Sequence, residues 1–210
     1  MTTRLQPKMR IGIYAGTFDP VHKGHIAFAL QSIRDAGLDK VLFIPEQKPR
    51  GKEGATHIGH RVAMLQRALV PYPRLAIREL PDKNFTISHS LARLNRLYPG
   101  VTLFRMIGSD VLPTMPHWPH IDAMLTNMGL IVGLRNNDTT ATADAQLIAL
   151  PKKPREVHII ATEHYIVSSS IIRLSISRRH SHAAMPGLIK RYVRENWLYV
   201  GTPERLLLPA

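Results

Sequence analysis

The chain predicts an α/β domain with a mostly parallel sheet covered by helices on both faces. Three observations carry this. Strand signals alternate with helix signals from end to end. At 210 residues and 44% apolar content the chain suits one domain with a proper core. No internal repeat or low-complexity tract interrupts it.

The elements follow in order. Residues 1–9 are a fraying start. Arg10–Tyr14 is a strand. Gly24–Ala36 is a helix with Ile26, Ala29, Leu30 and Ile33 on one face and Gly37 as its stop. Lys40–Ile44 is a short strand of buried type, and the polar stretch Pro45–Thr56, with Pro, Gly and cations, is a loop. His57–Val70 has helical spacing in Val62, Leu65 and Leu69. Leu75–Leu80 is a strand, Ile87–Leu97 a helix ended near Pro99-Gly100, and Val101–Ile107 a strand. A helix ending at Ala123–Leu125 precedes a strand at Gly129–Leu134. Asn136–Leu150, polar and rich in Thr and Ala, is expected to be a mobile segment. Val157–Ala161 is the last strand, and Ser169–Arg179 and Pro186–Asn196 are helices. Residues 10–200 thus form the domain and 201–210 a tail.

The most informative stretch is Gly-Thr-Phe-Asp-Pro-Val-His-Lys-Gly-His at 16–25, directly after the run Ile11–Ala15. A strand feeding a helix through a polar turn makes an anion site, because free backbone N–H groups and the helix dipole point the same way. His22 and His25, three apart, share the first turn. Gly24 between them has no side chain to hold a phosphate off the backbone. Histidine can donate to phosphate oxygens and take up developing charge. A His-x-x-His pair also arises by chance: His57/His60 and His117/His120 are two more. With no cysteine, a zinc reading lacks its usual partner ligand. Neither a P-loop nor Gly-x-Gly-x-x-Gly is present.

Lys and Arg number 28 against 15 Asp and Glu, a formal net charge of +13, which favours polyanionic partners. A nucleoside triphosphate fits as well as nucleic acid. The cations are scattered, without the interleaved aromatics of a single-strand platform, so dedicated nucleic-acid binding is disfavoured. The absence of cysteine excludes disulfides and thiolate chemistry. No stretch approaches the roughly 20 apolar residues of a membrane span, and the start lacks a signal peptide's apolar region. A soluble, cytoplasmic protein is expected.

Three further blocks carry chemistry. Ser168-Ser169-Ser170-Ile171-Ile172-Arg173 opens a helix after the last strand. Its serines suit an N-cap or a phosphate, and Arg173 is either a bidentate phosphate ligand or a solvent-facing residue. Gly108-Ser109-Asp110 ends a strand; Asp110 is either a helix cap or an acceptor for ribose hydroxyls or a cation. Trp118, in a Pro- and His-rich loop, plugs the core edge or stacks on a flat ring. The turn Asn84-Phe85-Thr86 after Arg78-Glu79-Leu80 can offer backbone N–H groups to an anion.

The first block resembles the Gly-x-Phe-Asp-Pro-x-His-x-Gly-His motif of the nucleotidyltransferase superfamily, and the serine block its Ile-Ser-Ser-Thr-x-Ile-Arg motif, with Val167 and Ser170 replacing Ile and Thr. From about Arg10 to Tyr199 the spacings resemble bacterial-type nicotinate-nucleotide adenylyltransferases, a family with a Rossmann-like fold. Asn84-Phe85-Thr86 stands where Ser-Tyr-Thr is usual, and Lys48-Pro49-Arg50-Gly51 near the usual Pro-Pro-His-Lys.

The resemblance implies transfer of AMP from ATP to nicotinate mononucleotide, with pyrophosphate leaving. It implies ATP contacts at Gly16, Thr17, Phe18, Gly24, Asp110, Ser168, Ser169 and Ser170, with His22, Lys23, His25 and Arg173 catalytic. Lys48, Arg50, Phe85, Thr86, Trp118 and Arg135 would take the nicotinate nucleotide. Mg²⁺ would enter with ATP, held mainly by phosphates, with Asp110 the candidate protein ligand and no dedicated metal site. A homo-oligomer is compatible with all of this. Pantetheine-phosphate adenylyltransferase, a cytidylyltransferase and a nucleic-acid-binding protein on the same scaffold are the alternatives.

Overall fold

Among the described residues, six strands lie in the order β3-β2-β1-β4-β5-β6, every neighbouring pair parallel. They are β1 Arg10–Gly16, β2 Lys40–Pro45, β3 Leu75–Ile77, β4 Thr102–Gly108, β5 Gly129–Gly133 and β6 Val157–Ile160. The helices are α1 Lys23–Asp35, α2 Ile58–Leu69, α3 Ala92–Leu97, α4 Ile121–Asn127, α5 Thr140–Ile148, α6 Ser169–Ser177 and α7 Gly187–Glu195. This computed structural model describes residues 8–135, 138–161 and 167–201. The expected fraying start and tail fall almost wholly outside those residues.

The strand residues alternate between two cores, as the two-residue period of a strand requires. Tyr14, Phe43, Phe104, Met106 and Ile131 face α1, α2, α6 and α7 in the first. Ile11, Ile13, Leu42, Ile44, Leu103, Ile107, Leu130 and Val132 face α3, α4 and α5 in the second. Strand order reverses at β1, whose neighbours are β2 and β4. The crevice at the carboxyl ends of β1 and β4 is therefore the topological switch point.

Several elements differ from expectation. The stretch Asn136–Leu150 is not a mobile segment where it is described; it carries α5. Thr139 Oγ1 accepts the Thr142 amide at 3.2 Å, and Thr142 Oγ1 accepts the Thr139 amide at 2.8 Å. That reciprocal cap starts the helix, and Ala143 buries it in the second core. Ile87–Leu97 splits into a π-turn at Ile87–Leu91 and then α3. A 3₁₀ segment at Ser109–His117 is new: Pro113 and Pro116 deny it a full α-helical ladder. β3 ends at Ile77, as the edge of a sheet tolerates.

Close packing of β4 on β5 gives a test. An ideal Cβ on Gly129 would sit 2.3 Å from the ring carbons of fully buried Phe104. Gly129→Ala should therefore cost about 1–3 kcal/mol, seen as a lower urea midpoint with an unchanged slope. Gly54→Ala, with nothing within 4 Å, should stay within about 0.5 kcal/mol of the parent.

Candidate active site

A cleft of about 660 Å³ opens at this switch point. One wall is the turn after β1. Phe18 lies there with φ of +52°, a costly conformation for a bulky residue. Its ring repays this by packing 5.3 Å from Tyr14, 5.3 Å from Phe43 and 5.2 Å from His25. The aromatic cluster holds the turn against the sheet and forms the floor under His25.

His25 is nearly buried, and its Nδ1 accepts the backbone N–H of His22 at 3.2 Å. A neutral ring with Nδ1 accepting carries its proton on Nε2. Burial, then the neighbouring His22, Arg135 and Lys52, hold its pKa well below the usual 6.5. His22 stacks on it at 3.7 Å between ring centroids and is itself buried. The site thus presents a neutral imidazole donor among cations.

Three segments are tied to the turn by buried hydrogen bonds. Asp19 is 2% exposed. One carboxylate oxygen accepts the Tyr199 hydroxyl at 2.6 Å, the other the Thr56 amide at 2.9 Å. Its carbonyl accepts Arg173 Nη1 at 2.8 Å. Arg61 donates to the carbonyls of Thr17, Thr56, Glu46 and Gln47. The three serines that open α6, Ser168 as its N-cap, are each engaged. Ser168 Oγ caps Ile171, Ser169 Oγ donates to Pro20 O at 2.9 Å, and Ser170 Oγ accepts Arg173 Nη2 at 3.2 Å.

The opposite wall is built on the second core. Phe85 donates its amide to Glu46 Oε1 at 2.9 Å, and Thr86 donates its amide to Ser90 Oγ at 3.0 Å. Arg105 of β4 lies under the Phe85 ring at 4.8 Å and gives Nη1 to the carbonyls of Ile13 and Met106. Burial brings its pKa down to about 10. At the rim, Arg135 pairs with Asp110 at 3.5 Å, and Trp118 Nε1 donates to Thr114 Oγ1.

A family model described as cytidylyltransferase-like matches residues 13–175. A nicotinate-nucleotide adenylyltransferase of Bacillus subtilis is 32% identical over 199 residues, 90% of this chain and 98% of that one. The chain belongs to this adenylyltransferase family. A probable member from Neisseria meningitidis serogroup C is 28% identical over 90% of this chain and 98% of its own. A Plasmodium falciparum nicotinic acid mononucleotide adenylyltransferase complexed with APC superposes with TM-score 0.73 at 16% identity, over 91% of this chain and 97% of that one. That likeness shows the shared fold.

Of the adenylyltransferase residues expected from sequence, Gly16, Thr17, Phe18, His25, Arg50, Phe85, Thr86, Asp110, Trp118, Arg135, Ser169 and Arg173 line one cleft. His22 lies behind His25 rather than in the lining. Lys23 is exposed at the start of α1, with its amide on Ala184 O; Gly24 beside it is also outside the lining. Lys48, Ser168 and Ser170 stand outside too. Arg173 is buried rather than solvent-facing, because the Asp19 carbonyl and Ser170 satisfy it.

Sequence reasoning missed Asp19, Glu46, Lys52, Arg61 and Arg105. A charge inside the apolar run Leu103–Ile107, and one on the apolar face of the helix after His57, were the available signals for the two arginines. Among the described residues no three His, Asp or Glu side chains converge on a metal site, and no helix is long and apolar enough to cross a membrane.

The lowered pKa of His25 has a measurable sign. Unfolded, the ring binds a proton near 6.5; folded, only well below that. Its contribution to stability is complete above the unfolded value and is lost as the pH falls from there toward the folded one. The urea midpoint should drop as pH is lowered below about 6.5, and His25→Gln should flatten that drop. Parallel curves for parent and variant would show that His25 is not the group responsible.

Proposed function

We propose that this cleft binds ATP and nicotinate mononucleotide side by side and transfers AMP between them. An oxygen of the 5′-phosphate attacks the α-phosphorus in line. The bond from that phosphorus to the bridging β-oxygen breaks, and pyrophosphate leaves. The attacking phosphate is already anionic, so no protein nucleophile or general base is required. Catalysis rests on positioning and on charge stabilisation.

The observation that carries this reading is the neutral His25 in a lining shared with Lys52, Arg173, Trp118 and the Phe85–Thr86 turn. In this reading Nε2–H of His25 donates to the α-phosphate as negative charge builds. Lys52 and Arg173 draw off charge toward the pyrophosphate, and His22 holds His25 in its tautomer. Lys23, exposed beside them, belongs to the outer field of cations. The Trp118 ring stacks on the pyridine. Asp110 is the carboxylate suited to Mg²⁺. Asp19 is spent on Tyr199 and Thr56, and Glu46 on Phe85. One carboxylate with substrate phosphates is the usual way Mg²⁺ is held beside nucleotides. When bound, the ion shields phosphate charge. A cytoplasmic location suits such substrates.

Pyrophosphate release with ATP across nicotinate mononucleotide, nicotinamide mononucleotide and phosphopantetheine tests the reading. The nicotinate nucleotide should lead the amide by at least about tenfold in kcat/KM, since charge-assisted hydrogen bonds are about twice as strong as neutral ones. Phosphopantetheine should give none. Turnover of phosphopantetheine in preference to both pyridine nucleotides would overturn the assignment.

His25→Ala should lose about 10²–10³ in kcat, as removal of a preorganised donor does, with a smaller change in KM for ATP. His57, which caps α2 at the surface through Gly59 N, should give an alanine variant within about twofold of the parent, as surface changes usually do. Equal losses at both positions would count against the role of His25. Arg173→Lys keeps the charge but not the fork, so it should weaken ATP use. Because the Asp19 carbonyl bond is buried, it should also lower stability by about 1 kcal/mol.

A further inference from the structure

Arg105 is the most unusual charge in the molecule. It stands in the middle of β4, between the buried side chains of Phe104 and Met106, and is 8% exposed. Among the described residues no carboxylate lies within ion-pair distance of it. Burying a cation unpaired is costly. Both donors of Nη1 are spent on the carbonyls of Ile13 and Met106 at 3.2 and 3.1 Å. Nε is buried without a partner, and no hydrogen bond engages Nη2. Nε is closed off from the cleft, so Nη2 is the donor left for a ligand, and a carboxylate is the acceptor that bonds a guanidinium most strongly.

Its surroundings say which anion. The Phe85 ring lies over the guanidinium, and Phe85, Thr86, Trp118 and Arg105 all line the cleft. Phe85, Trp118 and Ile87 pack on the second core, across the sheet from the aromatic cluster around His25. The phosphates belong on the His25 side. The flat ring belongs on the Trp118 side, with Arg105. The backbone donors of the turn do not compete, since the amides of Phe85 and Thr86 are committed to Glu46 and Ser90. Glu46, anchored on the Phe85 amide, adds a carboxylate to the same lining, so the pocket needs a cation to accept a further anion.

We infer that Arg105 determines acceptor specificity by donating from Nη2 to the ring carboxylate of the pyridine nucleotide. This rests on the reading of the reaction given above. Nicotinamide mononucleotide carries the same phosphate and ribose but offers that donor only a neutral carbonyl, without the charge that strengthens the bond.

The test compares kcat/KM for the acid and amide nucleotides at saturating ATP in the full chain, in Arg105→Met and in Arg105→Lys. Arg105→Met should lower the acid value by at least about thirtyfold, as for loss of a buried charged partner, and leave the amide within about threefold. The KM for ATP should not move. Arg105→Lys should fall between, keeping the charge without the planar guanidinium that fixes the donor's direction. An equal fall for both nucleotides would overturn the inference, since it would mean a structural or phosphate role; so would an unchanged acid preference. Should Arg105→Met fail to fold, ligand-induced Tm shifts of Arg105→Lys decide: the acid nucleotide should stabilise it less than the parent, the amide equally. If the parent releases pyrophosphate with neither pyridine nucleotide, the reading of the reaction fails and takes this inference with it. If the parent prefers the acid and Arg105→Met still does, only the inference fails.

Discussion

Asp19, itself buried, accepts the Tyr199 hydroxyl and the Thr56 amide on its two carboxylate oxygens and Arg173 on its carbonyl. Four separate stretches of chain meet there: the turn after β1, the cationic loop, the start of α6 and the segment after α7. A buried carboxylate without partners would be strongly unfavourable, so each bond is over-determined by the cost of leaving it unmade. The arrangement turns a polar turn into a rigid frame. Arg61 does the same from below by stapling four loop carbonyls. With both in place, His25 and Arg173 have defined positions before any ligand arrives, which is the preorganisation that electrostatic catalysis depends on.

Burial works differently on the two sides of the cleft. On the first it keeps His25 neutral and pushes the Tyr14 hydroxyl up to about 12, so both stay uncharged donors over the physiological range. On the second it leaves Arg105 charged yet short of partners. The first side thus combines neutral donors with cations at the rim, while the second keeps one buried cation. The overall charge of +13 adds a long-range field that draws anions to either.

The alternation of short apolar runs and amphipathic segments made the sheet legible, because strands buried on both faces and helices buried on one leave different periods in a sequence. Elements without a clean period were less legible. The helix Thr140–Ile148 reads as polar because its burial rests on Ala143 and on a threonine cap. The 3₁₀ segment Ser109–His117 has two prolines and no period to display. In the site, His25, Arg173 and Trp118 stood out because they occupy recognisable spacings. Lys52 belongs to no local pattern; Arg61 and Arg105 each break an apolar pattern, which marks a charge out of place but not what it bonds.

The sequence by itself determined the α/β class, the strand-turn-helix around His22 and His25, and the family to which the chain belongs. These depend on residues within a turn or two of one another, where spacing and chemistry can be read together. Tertiary structure alone decided the partners. Asp19 meets Tyr199 across 180 residues, and Arg173 meets Asp19 across 154. It also decided that the Phe85 and Thr86 amides are spent inside the chain while Arg105 keeps a free donor. The physical reason is that hydrogen-bond satisfaction is a property of the packed whole: a donor's availability depends on which distant acceptors the sheet order brings beside it, and one-dimensional spacing does not carry that information.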